Sequence, residues 1–438
     1  MSVPYIEPQR STQVSDVSQQ SGNSDLLVNN LVYEAPKALS LAVARSMKRQ
    51  YFQRNTYTGE KGQNMLIDVN SGTSYCQPAN SYLTFKVKLI EGSATTPSTA
   101  NFGSGSAMNV INECRIRSRS GTELDRLQNA NLWSKYDSLY TKPDGNLTTM
   151  GSSQGFGPTR VGGTDAANLS TTYAKFTIPL GALSPFFRPL KKQLIPPQVM
   201  SGLHMELVLE DFRTAFFGKA DAADITGYTI DKIELVLDLV DMTDDVQRTI
   251  NAGSASNGLE LSYERVYTAI SKQGATDLFI SQQIRKAVSQ ACFATSIVID
   301  QLNKTDITVD SLTSMAFSEI DSFQYRLGSL HFPNEKLLNA SDGVEAYTIA
   351  QQVYDKYKHP YMEGSVTRPL FSASLGVMSA SFEKDTSLNV SGLSINNSRT
   401  LELNCDFNTG HTRAAEVVTF LHYVSVARAF IDNVAVAI

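Results

Sequence analysis

The chain has 438 residues, too many for one ordinary core, and two domains of about 200 residues each are the natural division. Hydrophobic residues make up 42% and charged residues 18%, a globular balance. The formal charge of −5 excludes a global attraction to nucleic acid or acidic lipid, so any such contact has to be local.

Residues 1–34 begin with a run rich in Ser, Gln, Asn and Asp and read as a flexible arm; with neither a basic start nor an apolar stretch, the run does not read as a signal peptide. From Ala35 to Tyr51, Leu39, Leu41, Ala42 and Met47 predict a short leading helix, with Arg45, Lys48, Arg49 and Arg54 forming a basic cluster beside it. Strands are then predicted at about 64–70, 81–90, 109–118, 174–180, 203–210 and 230–240. The clearest alternate apolar and polar residues without a break: Leu83, Phe85, Val87 and Leu89, then Leu203, Met205, Leu207 and Leu209, then Ile233, Leu235, Leu237 and Leu239. A period of two puts one row of side chains in a core and the other in water, as in the strands of a β-sandwich. One helix is predicted from Asp125 to Tyr140, with Leu127, Trp133, Tyr136 and Tyr140 on its inward side. Gly145–Thr172 reads as a long surface loop, and Ser93–Ser106 and Asn251–Asn257 as exposed turns.

The polar run 244–257 is the expected linker, dividing a first domain at 35–243 from a second at 258–438. The second series has strands at about 259–271, 285–299, 321–328, 374–384, 399–407, 414–427 and 430–437, with a helix over Gly343–Tyr357. Leu401, Leu403, Cys405 and Phe407 repeat the alternation. The apolar stretch Val417–Ile438, interrupted by His422, Arg428 and Asp432, reads as two strands and not as a membrane span. Three landmarks recur in order at separations of about 200 residues, and together they read as a duplicated β-domain. They are Arg119-Ser-Gly121 and Arg326-Leu-Gly328 before a helix, the aromatic pairs Trp133/Tyr140 and Tyr347/Tyr354, and Asp211-Phe212 and Asp406-Phe407 at strand ends.

Candidate chemistry is sparse. Cys76, Cys114, Cys292 and Cys405 are scattered and read as buried, reduced thiols. The five histidines, His204, His331, His359, His411 and His422, are dispersed and assigned structural or surface roles. No hydrolase, phosphate-loop or zinc motif is present, so no catalytic, cofactor or metal site is expected.

The run PLGALSPFFRPLKKQLIPPQVMSGLHMELVLEDF (Pro179–Phe212) resembles the end of the first barrel in double jelly-roll major capsid proteins. FQYRLGSLHFPNEKLLNASDGVEAYTIAQQVYDK (Phe323–Lys356) resembles the strand and helix of their second barrel, and Ser81–Val87 an early strand of the first. The likeness is nearest to polinton-like viruses and virophages. It implies an all-β fold of two consecutive antiparallel jelly rolls with short helices in the connections. It also implies a homotrimeric, pseudo-hexagonal capsomer in an icosahedral virion shell around a DNA genome, made in the host cytoplasm or nucleus. The implied partners are other copies, neighbouring capsomers, penton and minor capsid proteins, with no cofactor and no membrane insertion. For Arg45, Lys48, Arg49 and Arg54 two readings stand: a solvated face, the commoner fate of such runs, or an inner surface meeting genome phosphates or a minor capsid protein. Two other classes remain open: a β-sandwich receptor- or glycan-binding protein, and a carbohydrate-active enzyme, which would need a carboxylate pair across a cleft.

Overall fold

The computed structural model describes residues 42–91, 100–156, 173–189, 194–218, 225–304, 307–338, 343–354, 364–384, 392–395, 399–430 and 434–437. The arm at 1–34 therefore lies outside the described residues.

The first series of elements is β1 (Ala42–Tyr51), β2 (Asn64–Val69), β3 (Tyr82–Glu91), β4 (Ile111–Arg117), β5 (Glu123–Gln128), α1 (Ala130–Thr141), β6 (Ala174–Pro179), β7 (Leu203–Leu209) and β8 (Ile225–Met242). Two antiparallel sheets result, ordered β1-β8-β3-β6 and β2-β7-β4-β5. The alternating residues predicted to face a core do so. Leu83, Phe85, Val87 and Leu89 are buried, as are Leu203, Met205, Leu207 and Leu209, and Leu235 sits opposite Leu83 in the register of β8 and β3.

After α2 (Asp244–Ser256) the plan repeats: β9 (Leu259–Gln273), β10 (Phe279–Ile284), β11 (Val288–Asp300), β12 (Ile320–Leu327), β13 (Leu330–Leu338), α3 (Val344–Tyr354), β14 (Met378–Ser381), β15 (Leu401–Phe407) and β16 (Ala415–Ala429). The sheets are β9-β16-β11-β14 and β10-β15-β12-β13. The permutation matches the first series strand for strand, and it is that of an eight-stranded jelly roll. Each copy inserts its helix between its fifth and sixth strands. The repeated landmarks fall at matching places. Gly121 and Gly328, both at positive φ, turn the fourth strand of each copy into the fifth.

Several expectations are corrected. The leading helix is the strand β1 over its described part, and Leu39 and Leu41 lie outside that part. Pairing with β8 along Ala42–Tyr51 outweighs a weak helical face. The helix predicted from Asp125 starts at Ala130, because Glu123–Gln128 pairs with β4 and Asn129 turns the chain through the left-handed region. Within the loop predicted at Gly145–Thr172, Asp144–Thr148 and Met150–Gln154 are helical turns, and 157–172 lie outside the described residues. Ser104 and Ser106, expected on an exposed turn, are buried. The polar run after Met242 is the helix α2, which opens on Asp244 and Asp245, the charge sign its N-terminus favours. Ser254 donates to the Ala429 carbonyl and Gln247 to that of Thr73, so α2 touches both barrels.

All four cysteines are buried, and none is in a disulfide. Burial pushes the Cys76 thiol up to about 12, and those of Cys114 and Cys405 are also raised by burial. The expected outcome of a thiol-reagent assay at pH 8 is negligible labelling of the native protein and labelling of all four thiols after denaturation.

Candidate functional site

The described chain uses one surface of each barrel internally, where the two barrels meet. Within each jelly roll β5, β9, β1 and β13 are sheet edges. An edge strand presents backbone groups that pairing leaves over. Here the edge β9 of the second barrel lies against the edge β5 of the first. Tyr263 Oη donates to the Leu124 carbonyl (2.7 Å) and Thr268 Oγ1 to the Gln128 carbonyl (2.8 Å). Side-chain donors of one edge thus cap carbonyls of the other.

Charge reinforces the seam. Arg265 on β9 donates to Glu123 (3.3 Å) and approaches Asp125 (3.7 Å). Asp125 is buried and also accepts from the Ser184 hydroxyl. Burial raises its carboxyl to about 6, against the opposing pull of the Ser184 donor and the Arg265 guanidinium. Phe186 meets Tyr263 edge-to-face at 5.0 Å, bringing the Pro-rich turn after β6 onto the same strand.

Helix α1 fills the gap between the barrels, and its residues from Ala130 to Tyr140 are all buried. Trp133, Tyr136 and Tyr140, predicted as inward anchors, are among them. Tyr140 stacks on Tyr354 of α3 at 4.6 Å and donates to the Leu375 carbonyl (2.7 Å). Arg188 lies over the Trp133 ring at 4.9 Å and donates to Asp137 at 2.8 Å. The least expected residue on the helix is Lys135, which is buried and donates to both oxygens of Asp310 (3.1 Å each). Ser104 N and Oγ also donate to Asp310, at 2.9 and 2.7 Å. Burial lowers the Lys135 ammonium. Burial alone would raise Asp310, but Lys135 and Ser104 outweigh it and hold that carboxyl below its usual range. Near the same helix His422 pairs with Glu264 (2.5 Å) and stacks on Phe293 (3.9 Å), a core role.

Sequence reading found the aromatic anchors and missed the polar seam. Its one available signal was a lysine set between Trp133 and Tyr136 on an apolar helix face. The predicted basic cluster is placed on and after β1 but divided. Arg45 grips Asp238 with two bonds (2.8 and 2.5 Å) and Arg49 pairs with Glu234, both on β8. The Arg45 hydrogen bond holds the Asp238 carboxyl below its usual range. Lys48, on the other face of the strand, donates to the Asn70 carbonyl (3.1 Å), and Arg54 follows the strand. Among the described residues no three His, Cys, Asp or Glu side chains are grouped to hold a metal ion, and no helix is long and apolar enough to cross a membrane.

These features define a class of fold, the double jelly roll: two like-ordered barrels joined edge to edge. Solved structures that share it include chains of viral capsids. A chain of the PBCV-1 virus capsid matches with a TM-score of 0.60 at 12% identity, over 90% of this chain and 97% of that one. The Faustovirus major capsid protein matches at 0.60 and 9% identity, over 95% and 97%. A chain of the Sputnik virophage matches at 0.59 and 10% identity, over 100% and 93%. No protein-family model and no curated protein matches the sequence. The resemblance read from Pro179–Phe212 and Phe323–Lys356 is thus borne out in the fold.

Two outcomes are expected of the seam. Replacing Asp125 by Asn imitates the protonated acid. A carboxyl raised from 3.8 to about 6 favours folding when protonated, and that contribution is lost as pH rises from about 4 through 6. Asp125→Asn is therefore expected to be more stable than wild type above pH 6, by on the order of 3 kcal/mol, and to match it below pH 4, read from paired denaturation curves. Lys135→Met strands Asp310 and is expected to cost about 3–5 kcal/mol, whereas Lys135→Met with Asp310→Leu recovers most of that loss, measured by the same curves.

Proposed function

We propose that this chain is a major capsid protein that forms homotrimeric, pseudo-hexagonal capsomers and assembles into an icosahedral virion shell around a DNA genome. The observation that carries the reading is the pair of like-ordered jelly rolls locked edge to edge by the β5–β9 seam and helix α1. Near-complete coverage of viral capsid chains supports it. A chain with two barrels fills a six-sided outline with three copies and needs only one repeated heterologous contact to close the ring. Its work is structural and not catalytic, done by side surfaces of the barrels. Obligate interfaces of this kind bury on the order of 2,000 Å² or more.

In this reading 1–34 is an arm, 35–243 and 258–438 are the two jelly rolls, and 244–257 joins them. The partners are other copies, neighbouring capsomers, and penton and minor capsid proteins, assembled in the host cytoplasm or nucleus. Arg45 and Arg49 serve chiefly to hold β1 to β8, which leaves Lys48 and Arg54 as the members suited to genome phosphates or an inner protein.

The test is mass photometry with negative-stain microscopy on the purified full chain. Particles of three chain masses with a six-lobed outline are expected. Monomers alone at micromolar concentration would remove the reading.

A further inference from the structure

The flank of the first barrel holds a cavity that shell building does not use. Strand β6 ends at Pro179, and the chain turns through Leu180–Leu183 into the Pro-rich run after it. Ser184 Oγ accepts from the Phe186 amide and fixes that run, so Phe186 meets Tyr263 of the seam while Phe187 faces the cavity. Gly181 admits the Arg188 stem, since a Cβ there would stand 3.1 Å from its Cγ. The opposite wall is the end of α1 and the two helical turns after it, which fold back until Thr177 of β6 donates to the Ser153 carbonyl (3.4 Å). The space between the walls measures about 690 Å³, within the range of about 300–1,000 Å³ usual for small-ligand sites.

Its lining has two characters. Pro78, Pro179, Ala182, Phe187 and Leu194 make it apolar, and Phe187 is the one aromatic ring in the lining. Met150, at the rim, is 72% exposed, more than any other large apolar side chain among the described residues. The charged side chains are Asp137, Lys142 and Arg188, two cations and one anion, leaving one net positive charge. Arg188 is held in place by Asp137 (2.8 Å) and by the Trp133 ring (4.9 Å). Lys142 donates to Ser138 (3.3 Å) one turn back on α1.

We propose that this cavity binds a straight-chain monocarboxylate of the fatty-acid class, its tail on Pro78, Phe187 and Leu194 under Met150 and its carboxylate at Lys142 and Arg188. Aliphatic walls with a single ring offer dispersion contact to methylenes and little for a flat ligand to stack on. One net positive charge suits one negative charge, and Asp137 repels a second. The ligand would tie the end of α1 to the Pro-rich turn, the two segments that reach the seam through Trp133 and Phe186. The proposal stands apart from the capsomer reading and does not depend on it.

Trp133 is the only tryptophan, and its ring lies under Arg188, so its fluorescence reports on the site. The test titrates the full chain with hexanoate, octanoate and decanoate below their micelle concentrations, with calorimetry giving the stoichiometry. One ligand per chain and a Kd falling about tenfold for each two methylenes are expected. Octanol and octylammonium are expected to bind at least tenfold more weakly than octanoate. Lys142→Met is expected to bring octanoate to the affinity of octanol, and Ala182→Phe, which fills the floor, to abolish binding. Met150→Asp, at an exposed position, is expected to weaken decanoate about tenfold, with Phe279→Asp on β10 as an exposed apolar control that changes nothing. Circular dichroism with a thermal melt verifies that each variant is folded; should Ala182→Phe not fold, Lys142→Met and Met150→Asp decide. No saturable binding at millimolar decanoate, equal affinity for octylammonium, or binding that ignores both Lys142→Met and Met150→Asp overturns the proposal.

Discussion

The structure depends on what happens at the edges of its sheets. A β-sandwich satisfies its backbone everywhere except along its outermost strands, and exposed edges invite indiscriminate pairing. In this chain the β5 edge is closed by side chains and not by another strand: Tyr263 and Thr268 donate to its Leu124 and Gln128 carbonyls. The choice has a geometric effect. Strand pairing would fuse two sheets into one, whereas side-chain capping lets two complete barrels stand side by side with their own sheets intact.

Around that contact the polar groups specify position more than they add stability. Lys135 and Asp310 are costly to bury, and an apolar pair of like volume would hold the barrels together about as well. What an apolar pair would lack is a single correct register, because two charges with five hydrogen-bond contacts to Asp310 fit in one arrangement. The aromatic stack of Tyr136, Tyr140 and Tyr354 supplies the adhesion, and the ion pair selects the angle at which it forms.

Much of this was legible before any coordinates. The alternation in Leu83–Leu89, Leu203–Leu209, Ile233–Leu239 and Leu401–Phe407 located strands that lie at or next to the middle of their sheets, where one face is always buried. The repeated Arg-x-Gly turns and aromatic pairs marked the duplication because those positions carry backbone and packing demands that each barrel meets separately. The edge strands were harder. β1 shows no apolar alternation because neither of its faces is covered within the chain, and β5 was absorbed into the following helix because a bulge at Leu124 turns it and Asp125 both inward and breaks the period of two. The seam's charges were invisible for a different reason. Lys135 and Asp310 are 175 positions apart, and nothing local to either announces a partner.

The complete enclosure of α1 bears on how the chain matures. Its Lys135 finds its acid at Asp310 and its Tyr140 stacks on Tyr354, both beyond position 300, and Tyr140 reaches 235 positions ahead to the Leu375 carbonyl. Synthesis delivers the amino-terminal barrel first, with an oily helix bearing an unmatched ammonium on its flank, and that barrel waits for nearly the whole of the second to be made. Contacts so distant in sequence form slowly. The nascent half-molecule is therefore the sticky stage of this protein's life, and it ends when the carboxy-terminal barrel covers the helix.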